Sequence, residues 1–284
     1  MSRAMKTPDV VTTVAALRER VASWRADAQR VGLVPTMGAL HEGHLALVRE
    51  TGKRCGRTVV SIFVNPAQFA PHEDFDRYPR TLEQDLAKLG DAADLVFAPS
   101  VAEMYPDGFA TKIEVSGPAL GLETDYRPHF FAGVATVVAK LLIAATPDMA
   151  MFGEKDYQQL LVVRRLARDL ALPIEIAGGE IVREADGLAM SSRNAYLNPR
   201  ERAIAGKLNG VLKDVARHVR AGRDVREVER SAAGALLEGG FDGVDYIAVR
   251  DALSLAPVSD VRASARVLAA VRVGKTRLID NMAI

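Results

Sequence analysis

Two histidines three residues apart, His41 and His44, follow an apolar run and are interleaved with Gly38 and Gly43. An apolar run that ends in a glycine turn and opens a helix reads as strand, turn and helix N-terminus. That terminus offers unpaired N–H groups and the positive end of the helix dipole to an anion. Gly38 and Gly43 let a phosphate approach the backbone closely, and the two imidazoles place side-chain donors beside it. A strand–helix turn with two surface histidines would carry the same residues. Two of the chain's five histidines within four positions, at the carboxyl end of a strand, favour the anion site.

Three further segments have chemistry to offer. Phe152-Gly153-Glu154-Lys155-Asp156 again puts glycine between a strand and a helix, with a lysine long enough to reach phosphate. Met190-Ser191-Ser192-Arg193-Asn194 is polar and reads as a mobile segment whose hydroxyls and guanidinium suit a polyphosphate, although a plain linker would look alike. Phe63-Val64-Asn65-Pro66-Ala67-Gln68 ends a strand in an Asn-Pro turn that carries a glutamine. Other signals fail on spacing. No GxGxxG follows any candidate strand. Gly274-Lys275-Thr276 has Ala269 where a phosphate loop needs glycine, so it reads as a turn between strands. His41-Glu42-Gly43-His44 is one residue short of HExxH and has no third ligand for zinc.

The elements that position these segments follow from periodicity. Apolar runs at 31–35, 58–64, 94–99, 111–115, 148–152 and 174–182 read as strands. Helical patterns cover 15–30, 44–55, 81–91, 131–146 and 156–172. Strands that are continuously apolar rather than alternating predict a parallel sheet with helices on both faces. Beyond Asn194 the order changes to helices at 199–221 and 225–237, then strands at 244–250, 266–273 and 276–280. The fold class is therefore α/β, a Rossmann-like doubly wound parallel sheet over residues 1–187, with a smaller C-terminal α+β domain over 188–284. The first nine residues are polar and expected to fray.

Composition narrows the class without naming the chemistry. Hydrophobic residues make up 49% of the 284 and charged residues 26%, ordinary globular usage that argues against long disorder. With 37 basic and 36 acidic residues the net charge is +1, so no global field favours nucleic acid or an anionic membrane. The single cysteine, Cys55, excludes an internal disulfide and suits a reducing, cytoplasmic setting. The apolar stretch 130–146 contains Lys140 and is too short to span a bilayer, and the N-terminus lacks a secretory h-region.

Taken in order, the strings PTMGALHEGH, FVNPAQF followed by EDFDRYPR, GVATVVAKL, FGEKDYQQL and DGLAMSSRNAYL resemble the pantothenate synthetase (pantoate–β-alanine ligase) family within the HIGH-type nucleotidyltransferases. The likeness at motif level runs from Val31 to Leu197. It implies an enzyme that adenylates pantoate with ATP, releases pyrophosphate, and transfers the pantoyl group to β-alanine with release of AMP. Carried over by motif, the ATP site is Met37, Gly38, Ala39, Leu40, His41, Glu42, Gly43 and His44, then Gly153, Glu154, Lys155 and Asp156. Val182 and the segment Met190, Ser191, Ser192 and Arg193 complete it. His44 matches the proton donor, with His41 and Lys155 as catalytic partners. Gln68 matches a contact to pantoate and β-alanine, Gln159 a second pantoate contact, and Asn65 a supporting residue. Met37, Phe63 and Val134 are expected to wall pantoate's methyl groups.

The resemblance also implies a lid role for the C-terminal domain, Mg²⁺, with Asp85 the candidate ligand, and a homodimer in the cytoplasm. In one place the pattern departs from the family. The His-Phe pair usual three residues before the glycine of GVATVV is replaced by Pro128-His129-Phe130-Phe131, so His129 is displaced by one position and no site role is carried over to it. Two rivals make distinct predictions. An adenylyltransferase would leave AMP on its final product, and a nucleotide-sensing protein on the same fold would bind ATP without releasing pyrophosphate.

Overall fold

The computed structural model describes residues 7–71, 73–259 and 264–284. In chain order the elements are β1 (Asp9–Val11), α1 (Val14–Ala26), β2 (Val31–Thr36), α2 (Glu42–Arg54), β3 (Arg57–Ile62), α3 (Leu82–Leu89), β4 (Leu95–Phe97) and α4 (Val101–Met104). Then come α5 (Glu123–Tyr126), α6 (Phe130–Ala145), β5 (Met149–Gly153), α7 (Tyr157–Asp169) and β6 (Glu175–Gly179). The chain closes with α8 (Pro199–Ala205), α9 (Leu208–Arg220), α10 (Val225–Glu238), β7 (Gly243–Asp251), β8 (Ala265–Val273) and β9 (Thr276–Ala283).

Two compact units divide these elements. The first runs to Ala119 and takes in Arg127–Glu154 and Gln159–Glu180; the second comprises Leu120–Tyr126, Lys155–Gln158 and Ile181–Ile284. In the first, six strands form one sheet in the order β1-β4-β3-β2-β5-β6, every pair parallel. Val31, Leu33 and Val34 of β2 and Val59 and Val60 of β3 are all fully buried, as strands covered on both faces must be. Helices α2 and α3 pack on one side in a cluster with Val34, Val60, Val96, Met149 and Met151. Outside that cluster α1 and α6 pack against each other and against β2. Helix α6 is buried over most of its surface, as its mainly apolar sequence requires, and among the described residues no helix is long and apolar enough to cross a membrane.

From β2 the chain winds to β3 and β4 on one side, then to β5 and β6 on the other. The winding therefore reverses between β2 and β5, and the carboxyl ends of β3, β2 and β5 share one edge. Open α/β sheets bind ligands at that edge.

The second unit is an antiparallel sheet in the order β7-β8-β9, with α8, α9 and α10 packed in its core. Leu208, Leu212, Val215 and Val219 form the buried stripe of α9, and Val249, Val267, Ala269 and Val271 meet it from the sheet.

Several sequence expectations are corrected. Segment 111–115 joins no ladder; the Ile113 N–H is instead donated to Thr136 Oγ1 at 3.0 Å. The chain does not fray through residue 9: Asp9–Val11 is an edge strand paired with β4 through register Asp9↔Leu95, while residues 1–6 lie outside the described residues. The helix expected over 199–221 is two, α8 and α9, interrupted at Gly206, where a Cβ would lie 2.3 Å from Asp186 Oδ2. Residues 183–197 are far from a free linker. Arg183 and Ala189 form an antiparallel bridge, the Glu184 N–H donates to Leu188 O, and the Met190 N–H donates to Val182 O.

Candidate active site

The turn after β2 is held by atoms remote in sequence. Gly38 adopts φ +81°, a conformation side chains resist, and a Cβ there would lie 3.1 Å from Asp85 Oδ2. Asp85 is fully buried on α3, and its two oxygens accept the N–H groups of Ala39 and Leu40 at 2.9 and 2.8 Å. Thr81 Oγ1 donates to the same carboxylate at 3.3 Å, and Lys88 Nζ donates to Leu40 O at 2.6 Å. The residue marked in the sequence as a magnesium candidate is therefore engaged in shaping the glycine turn. Among the described residues no group of three or more His, Cys, Asp or Glu side chains is placed to hold a metal ion.

Helix α2 starts at Glu42, two residues before the sequence pattern puts it, because the histidines cap it themselves. His41 Nδ1 accepts the Gly43 N–H at 3.2 Å, and His44 Nδ1 accepts the His41 N–H at 3.3 Å. This is a capping box built from imidazoles, in place of the usual hydroxyl and carboxylate. With Nδ1 accepting, each neutral ring carries its proton on Nε2, so both become Nε2–H donors. Their ring centroids are 4.0 Å apart.

The turn after β3 is a short 3₁₀ segment, Pro66–Gln68, capped by Asn65. Asn65 and Gln68 are both buried. Asn65 Nδ2 donates to Gln68 Oε1 at 3.1 Å and to Gly133 O at 3.2 Å, while Gln68 Nε2 approaches Met37 Sδ at 3.0 Å. The turn thus ties the glutamine to the histidine loop's methionine. Gly133 on α6 explains its own residue type: a Cβ there would sit 2.2 Å from Ala67 O. Arg127 completes the clamp. It pairs with Glu73 through Nε and Nη2 at 2.6 and 2.7 Å, and donates to Gln68 O at 3.1 Å. Burial works to raise the Glu73 carboxyl, but the Arg127 hydrogen bonds and charge outweigh it and hold the group below its ordinary range.

After β5, Gly153 and Glu154 stand at the same carboxyl edge of the sheet. Of the paired glutamines, Gln158 is buried and spent on structure: it accepts the Glu123 N–H and donates to Gly121 O, both at 3.1 Å. Gln159 is half-buried and belongs to the first unit. In the second unit, Lys155 has its carbonyl fixed by Asn281 Nδ2 at 2.8 Å, and its ammonium has no ion-pair partner among the described residues. Asp156 is half-buried beside it.

Met190, Ser191, Ser192 and Arg193 are half-buried, with Ser191 Oγ capping the turn through the Arg193 N–H at 3.3 Å. Glu184 holds this segment from behind, accepting from Asn194 Nδ2 at 2.7 Å and from Arg202 Nη2 at 2.6 Å. Arg202 also pairs with Asp186, holding that carboxyl below the usual carboxylate range, and Arg183 makes a two-pronged pair with buried Asp280.

The first unit therefore brings together Met37, Gly38, Ala39, Leu40, His41, Glu42, Gly43, His44, Asn65 and Gln68. Asp85, marked from sequence only as a metal candidate, is an anchor of the turn, and Arg127, Glu73 and the close approach at Gly133 were not assigned from sequence. Only an acid in an unusually buried helix position marks Asp85, and nothing local marks the others. His129 sits at the start of α6 without capping it, and its Nε2 is buried with no hydrogen-bond partner. Burial raises the Cys55 thiol, consistent with an unreactive core position.

The pantoate–β-alanine ligase family model matches residues 9–283. The chain belongs to the pantoate–β-alanine ligase family. Among this family's named members it is 58% identical to a pantothenate synthetase of Mesorhizobium japonicum over 98% of each chain, and 56% identical to one of Paramagnetospirillum magneticum over 97% of each. Its fold is shared by the crystal structure of Thermus thermophilus pantothenate synthetase, with TM-score 0.90 and 49% identity over 96% of this chain and 98% of that one. A Francisella tularensis pantoate–β-alanine ligase, crystallised with a β,γ-ATP compound and β-alanine, matches with TM-score 0.82 and 32% identity over 97% of each chain. In this chain the glycine turn, the two-histidine cap and the buried Asn–Gln pair come together at one sheet edge.

Proposed function

We propose that this chain is a pantothenate synthetase, an enzyme that condenses pantoate with β-alanine at the expense of ATP. The observation that carries the reading is the two-histidine helix cap at the switch point of the sheet, with Gln68 tied to the same loop. Membership of the ligase family supports it along the whole chain. The reaction has two steps. A pantoate carboxylate oxygen attacks the α-phosphorus of ATP, the bond to the β-phosphate oxygen breaks, and pyrophosphate leaves. The β-alanine amine then attacks the acyl carbon of pantoyl adenylate, AMP leaves with the bonding pair, and the amine gives up a proton.

Charge builds on phosphoryl oxygens in the first step, so fixed donors matter most. His41 and His44 present Nε2–H donors in the tautomer their caps enforce, which suits His44 to donate a proton or hydrogen bond to the departing phosphate. The Lys155 ammonium, the Arg193 guanidinium and the hydroxyls of Ser191 and Ser192 add charge and donors. Met37, Gly38, Ala39, Leu40, Glu42, Gly43, Gly153, Glu154, Asp156, Val182 and Met190 complete the ATP set. Gln68 and Gln159 bind pantoate with neutral amides, which orient its carboxylate without blunting it as a nucleophile; Gln68 also serves β-alanine. Magnesium enters as the counter-ion of ATP, carried by the phosphates. The enzyme works as a homodimer in the cytoplasm.

The test is pyrophosphate release with each substrate supplied in turn. ATP with pantoate alone should release it in a single-turnover burst, and β-alanine should convert that burst into steady formation of AMP and pantothenate. No pantoate-dependent release, or AMP retained on the final product, would overturn the reading.

A further inference from the structure

A tyrosine forty positions from the Asn65–Gln68 turn reaches into it. Tyr105 follows α4, and its hydroxyl donates to Asn65 Oδ1 at 2.6 Å. The same oxygen receives the Ala67 N–H at 3.3 Å, so both donors fall on one side of the Asn65 amide. The other side, Nδ2, gives its protons to Gly133 O and Gln68 Oε1. Turned over, the Asn65 amide would aim its NH2 at the Ala67 N–H and its oxygen at the Gly133 carbonyl. Asn65 therefore demands an acceptor from Gln68. The Gln68 oxygen must face Asn65, which leaves its NH2 on the side of Met37.

We infer that Tyr105 is a positioning residue for substrate recognition: its hydroxyl holds in place the Asn65 amide that the Ala67 N–H and the Gly133 carbonyl orient, and Asn65 in turn sets the Gln68 amide so that NH2, rather than C=O, meets the acid substrate. The inference rests on the pantothenate synthetase reading and adds to it a residue outside the recognised motifs. The chemistry is one of sign. A carboxylate or hydroxyl oxygen is attracted by an amide NH2 and repelled by an amide oxygen, so a freely turning glutamine would lose affinity for pantoate. Burial pushes the Tyr105 phenol up to about 12, which keeps it a neutral donor at physiological pH. Its ring is held edge-on by Phe109 at 5.1 Å and flanked by Phe63 at 6.2 Å. Without the hydroxyl, Asn65 Oδ1 would keep only the long Ala67 bond.

Steady-state kinetics of the full chain test this with Tyr105→Phe, alone and combined with Gln68→Ala. Wild-type pantothenate formation is measured first, and its absence would remove the reading of function itself. Given wild-type activity, Tyr105→Phe should raise the KM for pantoate about 5- to 10-fold, the worth of one neutral hydrogen bond. The KM for ATP and the Tm should stay near wild type. In the Gln68→Ala background the same substitution should add nothing, because its effect runs through that amide. An unchanged pantoate KM, an equal rise for ATP, or the same factor persisting without Gln68 would each overturn the inference. If Tyr105→Phe does not fold, Asn65→Asp replaces the NH2 that holds Gln68 Oε1, and should raise the pantoate KM at least as far; no change there would overturn it equally.

Discussion

The turns after β2 and β3 and the segment from Arg183 to Leu197 all carry motif residues, yet they are held by different physics. In the first region the holding atoms are mostly buried and, apart from the Arg127–Glu73 ion pair, the bonds run to backbone amides or between neutral groups: Asp85 to Ala39 and Leu40, Tyr105 to Asn65, Asn65 to Gln68. In the second, besides backbone bonds and the Arg183 pair with buried Asp280, the ties include ion pairs near the surface, with Arg202 29% exposed against Glu184 at 31% and Asp186 at 43%. Exposed ion pairs contribute about 0–1 kcal/mol each and weaken with salt. A buried acceptor left without its donors costs more, about 1–3 kcal/mol. The lesson is a division of stiffness. The glycine–histidine and Asn–Gln turns are set by buried, oriented bonds, whereas the Ser–Arg segment also leans on half-exposed ion pairs.

The strongest test of the stiff region removes its chemistry. His44→Ala takes away both the imidazole donor and half of the α2 capping box, and should lower the rate of pantoate-dependent pyrophosphate release about 10²-fold or more. Near-normal release would mean that neither the His44 ring nor its half of the cap is needed for pantoate adenylation.

A smaller effect is expected from Gly133→Ala. With Ala67 O only 2.2 Å from the new Cβ, α6 or the Pro66–Gln68 turn must move, and both are packed. Overpacking of this kind costs roughly 1–3 kcal/mol. Chemical denaturation should show that loss, and the KM for pantoate should rise with it. Unchanged stability and KM would show that the turn is more compliant than the comparison claims.

The smallest effect belongs to the second region. Arg202→Gln breaks the pairs with Glu184 and Asp186, and should cost no more than about 1 kcal/mol in low salt. Adding salt should narrow the gap between variant and wild type in thermal unfolding. A loss several times larger, or one insensitive to salt, would erase the distinction between the two regions.

Much of this was legible before any coordinates. The continuous apolar strands announced a parallel sheet, and the glycine–histidine turn and Asn65-Pro66 announced where its carboxyl edge carries chemistry. These are local signals, written in periodicity, caps and turns that span a few residues. The expected strand at 111–115 failed because an apolar run specifies burial on a sheet-like path but not a partner, and here Thr136 takes the Ile113 N–H. The expected single helix at 199–221 is two because the chain tightens at Gly206 and Lys207, where the Lys207 N–H bonds three residues back to Ile204 O, and periodicity does not register it.

By itself, then, the sequence determined most of the elements, the parallel doubly wound class of the sheet and the glycine turns at its carboxyl edge. Only the tertiary structure decided how the residues there are aimed. Asp85 lies 46 positions from Ala39, Tyr105 lies 40 from Asn65, and Asn65 lies 68 from Gly133. No periodicity of 2 or 3.6 connects such pairs. They meet because parallel strands put their carboxyl ends on one edge and buried polar groups must find partners there.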